Sequence, residues 1–220
     1  MEVRDLGEKY IKTPDKNNRE VSNPNHPKKG ASIKVDPIKN LDDIYRIKKM
    51  LSDNSRNLCL FTMGINTAYR ANELVSIKVG QVDYLKTGDR LELKQSKNKK
   101  YRAITLNKNV IASLKNWLQH HPNPKPDMPL FLSRKTGDAL TSIAITNLVK
   151  GWCADIGLRG NFGSHTLRKT WGYQAYTNGA DILHIQGLMN HVSQHITLRY
   201  IGVTKTTIRQ MYFDNTLEIA

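Results

Sequence analysis

The sequence predicts an α+β fold, mainly α-helical with a small three-stranded antiparallel sheet. Two observations predict it. Apolar residues recur at three- and four-residue spacing along most of 37–78 and 108–200, as on amphipathic helices. Between 81 and 106 the period drops to two, with turn-forming breaks, as in short paired strands. The length of 220 residues suits one well-buried core, or one domain plus a tail.

Residues 1–36 are polar, mixed in charge and broken by Pro14, Pro24 and Pro27, so an arm or linker without its own core is expected there. From Pro37 a helix follows through Leu41, Ile44, Ile47 and Leu51, with Asp42 and Asp43 in its first turn, where the helix dipole favours acids. A second runs through Leu58, Phe61, Thr62 and Ile65. Three strands are expected next: one at Val82 and Tyr84, one at Leu91 and Leu93, and one over Ala103, Ile104, Thr105 and Leu106. Thr87-Gly88-Asp89 separates the first two, and the polar stretch 96–100 the second two.

A helix from about Lys108 to His120 faces Val110, Ile111, Leu114, Trp117 and Leu118 inward. His120 and His121 are adjacent, lie on different helix faces and have no carboxylate or cysteine at ligand spacing, so no metal site is expected. Thr141 is placed to cap a helix that stops at Gly157. A helix after Ser164 ends at Asn178-Gly179, and Asp181 caps the next, with Ile182, Ile185, Leu188 and Met189 expected inside. Residues 37–203 then form one domain, and 204–220 a loosely helical tail.

The chemistry concentrates in Ser164–Tyr200. His165 and Arg168 are three apart and share a helix face, and His191 and Tyr200 follow. An arginine and two histidines with no acidic partner nearby suit an anion, and a tyrosine hydroxyl is a possible nucleophile. Charge agrees: 34 Lys and Arg against 19 Asp and Glu give a net +15, the footprint of a polyanion binder. Cys59 and Cys153 sit in apolar helical contexts and read as reduced core thiols of a cytoplasmic protein. No apolar run reaches the ~18 residues of a membrane span.

The stretch resembles the C-terminal catalytic region of the tyrosine recombinases, the phage-integrase family. Its His-x-x-Arg box is His165-Thr166-Leu167-Arg168, its Leu-Gly-His is Met189-Asn190-His191, and its Thr-x-x-Tyr is Thr197-Leu198-Arg199-Tyr200. Asn190 replaces glycine at a helix end, where asparagine tolerates the left-handed backbone. Upstream, Thr67-Ala68-Tyr69-Arg70 and Glu73 are similar to the first arginine box, with Ala68-Tyr69 for Gly-Leu. Taken alone, Arg70 and Glu73 also read as a surface ion pair on a helix.

The resemblance implies a tyrosine-recombinase catalytic domain that cleaves and rejoins double-stranded DNA through a covalent 3′-phosphotyrosyl intermediate and a Holliday junction, with no metal, cofactor or ATP. It implies Tyr200 as nucleophile, Arg70 and Arg168 on the non-bridging oxygens, His165 as general base and His191 as a hydrogen-bond donor, with Glu73 in support. Aligning Arg102 and Leu106 with the family's β-hairpin puts its general-acid lysine at Lys97, with Lys99 and Lys100 as competitors. Lys99, Lys100 and Arg102 are expected to contact DNA. A homo-oligomer is implied, a synaptic tetramer on two duplexes. Two alternatives share the charge and fold: a DNA-binding module without strand exchange, and relaxation of supercoils in the manner of type IB topoisomerases.

Overall fold

The computed structural model describes residues 34–94 and 101–203. The expected arm up to residue 33, the 95–100 stretch and the tail from 204 lie outside the described residues.

The chain enters in extended form and is fastened to what will be the sixth helix before any helix begins. The Ile38 N–H donates to Thr170 Oγ1 at 2.8 Å, and the Gln174 side-chain amide reaches the Lys39 carbonyl at 2.7 Å. Asn40 then caps α1 (Leu41–Met50) by accepting from the Asp42 N–H, with Asp42 and Asp43 at the positive end of the helix and Lys48 and Lys49 at the negative end.

The central element is α2 (Ser55–Thr67), capped by Asn54 and buried along Cys59–Gly64. Phe61 meets Trp152 edge-on with ring centroids 5.8 Å apart. The helix ends at Ala68 in the left-handed conformation, φ 53°. That is the position where the first arginine box usually has glycine, and glycine carries no Cβ penalty there. Arg70 follows as the N-cap of α3 (Ala71–Val75).

The sheet differs from expectation. Among the described residues it has two strands, β1 (Arg90–Lys94) antiparallel to β2 (Tyr101–Thr105), with Leu91 opposite Ile104 and Leu93 opposite Arg102. The third strand expected at Val82–Tyr84 is instead the exit of a 3₁₀ turn, Val79–Gln81. Its amides are used locally: Val82 N–H and Asp83 N–H both donate to the Val79 carbonyl, and Val79 N–H is taken by the Met128 carbonyl. With those donors spent, no ladder edge is left. Val82 is buried and Tyr84 exposed, whereas residues two apart on a strand share a face, so their burial fits the turn and not a strand.

Helices α4 (Lys108–Gln119) and α5 (Ser142–Asp155) complete the main core, α5 capped by Thr141 as expected. The Trp117 indole donates to the Leu130 carbonyl at 2.7 Å, and His121 stacks on Trp117. Cys59 and Cys153 are buried free thiols, each pushed up to about 12 by burial.

The remaining three helices carry the site. α6 (Ser164–Thr177) lies against α2 and α5, and α7 (Ile182–Met189) and α8 (Gln194–Ile201) pack on α6 through Ile185, Met189 and Ile201. Leu188, expected inside, is 43% exposed. Asp181 caps α7, and Asn190 ends it at φ 52°, ψ 49°, the left-handed cap that asparagine was expected to supply.

The α2–α6 contact closes at Gly64, where a Cβ would come within 2.9 Å of Leu167 Cβ. Gly64→Ala is therefore expected to overpack the interface, costing about 1–3 kcal/mol, a fall of roughly 2–10 °C in Tm by thermal unfolding.

Candidate active site

The site begins with one buried carboxylate. Glu73 is 3% exposed and sits at the third position of α3, where it accepts the Arg70 N–H at 2.6 Å through Oε2 and so closes the helix start. The same carboxylate pairs with Arg70 Nη1 at 3.2 Å, Arg102 Nη1 at 3.6 Å and Arg168 Nη1 at 4.0 Å. Three guanidiniums thus share one negative charge and leave a local excess of two positives.

Each guanidinium is held differently. Arg168, 2% exposed, donates from Nη1 to the Ala68 carbonyl and from Nη2 to the Met189 carbonyl at 2.8 Å, tying α6 to the ends of α2 and α7. Burial, with Arg102 and Arg70 nearby, pushes its pKa down to about 10. Arg102, expected on DNA, points inward instead. It is 8% exposed, donates to the Ala68 and Thr67 carbonyls at 3.0 and 3.1 Å, and lies over the Tyr69 ring at 5.2 Å. Its strand alternates, so Arg102 shares the buried face of Ile104. Arg70 is the open member of the three, its side chain 32% exposed.

Tyr200, on α8, is brought to this cluster. His165 Nδ1 lies 3.1 Å from its hydroxyl, and the His191 ring packs edge-on at 4.9 Å. Burial raises the phenol pKa, while Arg168 and Arg70 pull it back. His165 is lowered by packing around its ring and then by Arg168, Lys169 and Arg70, so near neutral pH its imidazole is uncharged and able to accept the phenol proton. His191 is lowered by burial and by Arg168 and Arg70. Its Nδ1 meets Thr197 Oγ1 at 3.2 Å, and that hydroxyl also reaches the Ser193 carbonyl at 3.0 Å.

Arg70, Glu73, His165, Arg168, His191 and Tyr200 are therefore gathered in one place. Lys97, Lys99 and Lys100 fall within 95–100, outside the described residues. Sequence reasoning quoted Thr197 in the Thr-x-x-Tyr box without giving it a role, and missed Lys169. Thr197 stands one turn before Tyr200 on α8. Lys169 is four residues after His165, a spacing that puts both on one face of α6, and its ammonium lies 4.9 Å over the Tyr200 ring.

A helical domain that gathers two arginines, two histidines and a tyrosine in this order defines a tyrosine recombinase, an enzyme of DNA strand breakage and rejoining. The chain belongs to the phage integrase family, whose model matches residues 37–207. It is 35% identical over 180 residues to the probable integrase/recombinase YoeC of Bacillus subtilis, covering 81% of this chain and 95% of that one. It is 28% identical over 186 residues to the tyrosine recombinase XerD of Listeria monocytogenes, covering 80% of this chain but 61% of the relative. Among solved structures, the XerA recombinase matches with TM-score 0.69 at 21% identity, over 84% of this chain and 67% of that one. The XerH site-specific recombinase bound to its difH substrate matches at 0.64 and 22%, over 83% and 54%.

Glu73→Gln keeps the size and one acceptor but leaves the two buried guanidiniums uncompensated. It is expected to cost about 3–5 kcal/mol in chemical unfolding, well beyond the loss of an exposed ion pair.

Proposed function

We propose that the chain recombines double-stranded DNA by the tyrosine mechanism. Tyr200 Oη gives its proton to His165 Nδ1 and attacks the scissile phosphorus. The bond to the 5′-oxygen breaks, and a 3′-phosphotyrosyl link holds the energy needed for resealing. Arg70 and Arg168 take the charge growing on the non-bridging oxygens, where a planar fork matches phosphate. His191 completes the shell as a donor. Lys97 protonates the departing 5′-oxygen as general acid, so that it leaves as a hydroxyl, and Lys99 and Lys100 hold neighbouring phosphates. Each requirement of the step is met by a side chain, so neither metal nor ATP is called for.

The observation that carries this reading is the Tyr200 hydroxyl at 3.1 Å from His165 Nδ1, beside an arginine cluster with excess positive charge. The XerH site-specific recombinase, solved in a post-cleavage complex with its palindromic difH substrate, supports it, as does the net charge of +15. A second strand exchange through a Holliday junction, by protomers assembled as a tetramer on two duplexes, follows from the same family relationship.

Among the described residues no helix is long and apolar enough to cross a membrane.

Tyr200→Phe removes one oxygen and no charge. It is expected to abolish the covalent adduct on a nicked suicide substrate in denaturing gels, while DNA affinity changes less than about threefold. An adduct that persists in this variant would place the nucleophile elsewhere.

A further inference from the structure

Lys169 is a cation buried beneath the entry segment. It is 5% exposed, and its Nζ donates to the Val35 carbonyl at 2.7 Å. Burial and Lys34 lower its pKa, and Asp36 opposes them. No acid is hydrogen-bonded or ion-paired to it among the described contacts, yet the chain keeps a lysine rather than an apolar residue in this place. A buried ammonium is costly unless something nearby answers its charge. What lies against it is the face of Tyr200, with Nζ 4.9 Å from the ring centroid.

The groups around the phenol sort by their effect on its charge. His165 stands at the hydroxyl, and His191 against the ring edge. Arg168, from α6, and Arg70, at the start of α3, pull the phenol pKa down through their charge. Lys169 takes the ring face, with Lys34 and Asp36 of the entry segment beyond it. A cation on a ring face is attracted more strongly as the ring gains negative charge, which is what happens when the phenol gives up its proton. Arg70 and Arg168 are called on by the phosphate at that moment. Lys169 lies instead over the ring face, 4.9 Å from the centroid.

We infer that Lys169 is a positioning residue for the nucleophile: its ammonium, anchored on the Val35 carbonyl, fixes the Tyr200 ring and stabilises the phenolate as it forms. The inference rests on Tyr200 being the nucleophile. The carbonyl anchor lies in the extended entry segment, so the segment leading into α1 also sets where this charge stands.

The test crosses two changes at saturating suicide substrate, reading the rate of covalent adduct formation. Lys169→Gln keeps a donor for the Val35 carbonyl and removes the charge; Lys169→Arg keeps the charge. The second change replaces Tyr200 by 3,5-difluorotyrosine, whose far more acidic phenol has little need of a stabilising cation. With tyrosine at 200, Lys169→Gln is expected to slow the adduct about tenfold, the equivalent of one pKa unit, and Lys169→Arg by less than about threefold. With difluorotyrosine the Lys169→Gln deficit is expected to shrink to about twofold or less. An equal deficit with both phenols, or none with tyrosine, would overturn the inference, because a lysine that only latches the entry segment is indifferent to phenol acidity. Should Lys169→Gln not fold, Lys169→Met is read by the same criteria. Tyr200→Phe run alongside separates the two levels. An adduct in that variant sinks the nucleophile assignment, whereas its absence together with an unchanged Lys169→Gln rate sinks only the role of Lys169.

Discussion

Glu73 is the counter-ion on which the site depends. Two buried guanidiniums, with a third partly exposed beside them, cannot be packed together on mutual terms. At an effective dielectric near 20, two like charges about 5 Å apart repel by roughly 3 kcal/mol. One buried carboxylate offsets part of that repulsion, and backbone carbonyls of Thr67, Ala68 and Met189 take further donors. The remainder is an unsatisfied positive field, which makes the pocket hospitable to a phosphodiester.

The fold serves this balance through close approaches more than through loops. The left-handed turn at Ala68 points one carbonyl at both Arg102 and Arg168, so the end of α2 becomes the shared acceptor of a strand residue and a helix residue. Gly64 lets α6 lie close enough for Arg168 to reach it. Gly172 does the same on the other side of α6, where a Cβ would meet Ile201 Cγ2 at 2.6 Å, so that α8 can bring Tyr200 against His165.

Much of this was legible in the sequence because the signals were local. Thr141 and Asp181 cap the helices they were expected to cap, and Asn190 takes the left-handed end that its residue type permits. The spacing of His165 and Arg168 placed both on one face. What escaped depends on tertiary context. Val82 and Tyr84 alternate like a strand, but backbone bonds to Val79 and across to the 126–128 segment decide the local conformation. Arg102 was expected to contact DNA together with Lys99 and Lys100. Its parity with Ile104 was the better guide, since residues two apart on a strand share a face. Lys169 also lay in plain view at helical spacing from His165, but only the approach of α8 and the entry segment shows what it touches.

On the proposed function, the guanidinium charge in excess of Glu73 meets the charge of the scissile phosphate. A substrate carrying a methylphosphonate at the cleavage position tests it most directly, because replacing one non-bridging oxygen by methyl removes that charge and leaves the leaving group alone. Arg70→Ala, which deletes the most exposed of the three guanidiniums, should form adduct at least about a hundredfold more slowly than the parent on ordinary DNA, and the ratio should fall to within about tenfold on the methylphosphonate. An equal deficit on both substrates would contradict the account, and would mean that Arg70 holds the α3 start in place and does not answer the phosphate.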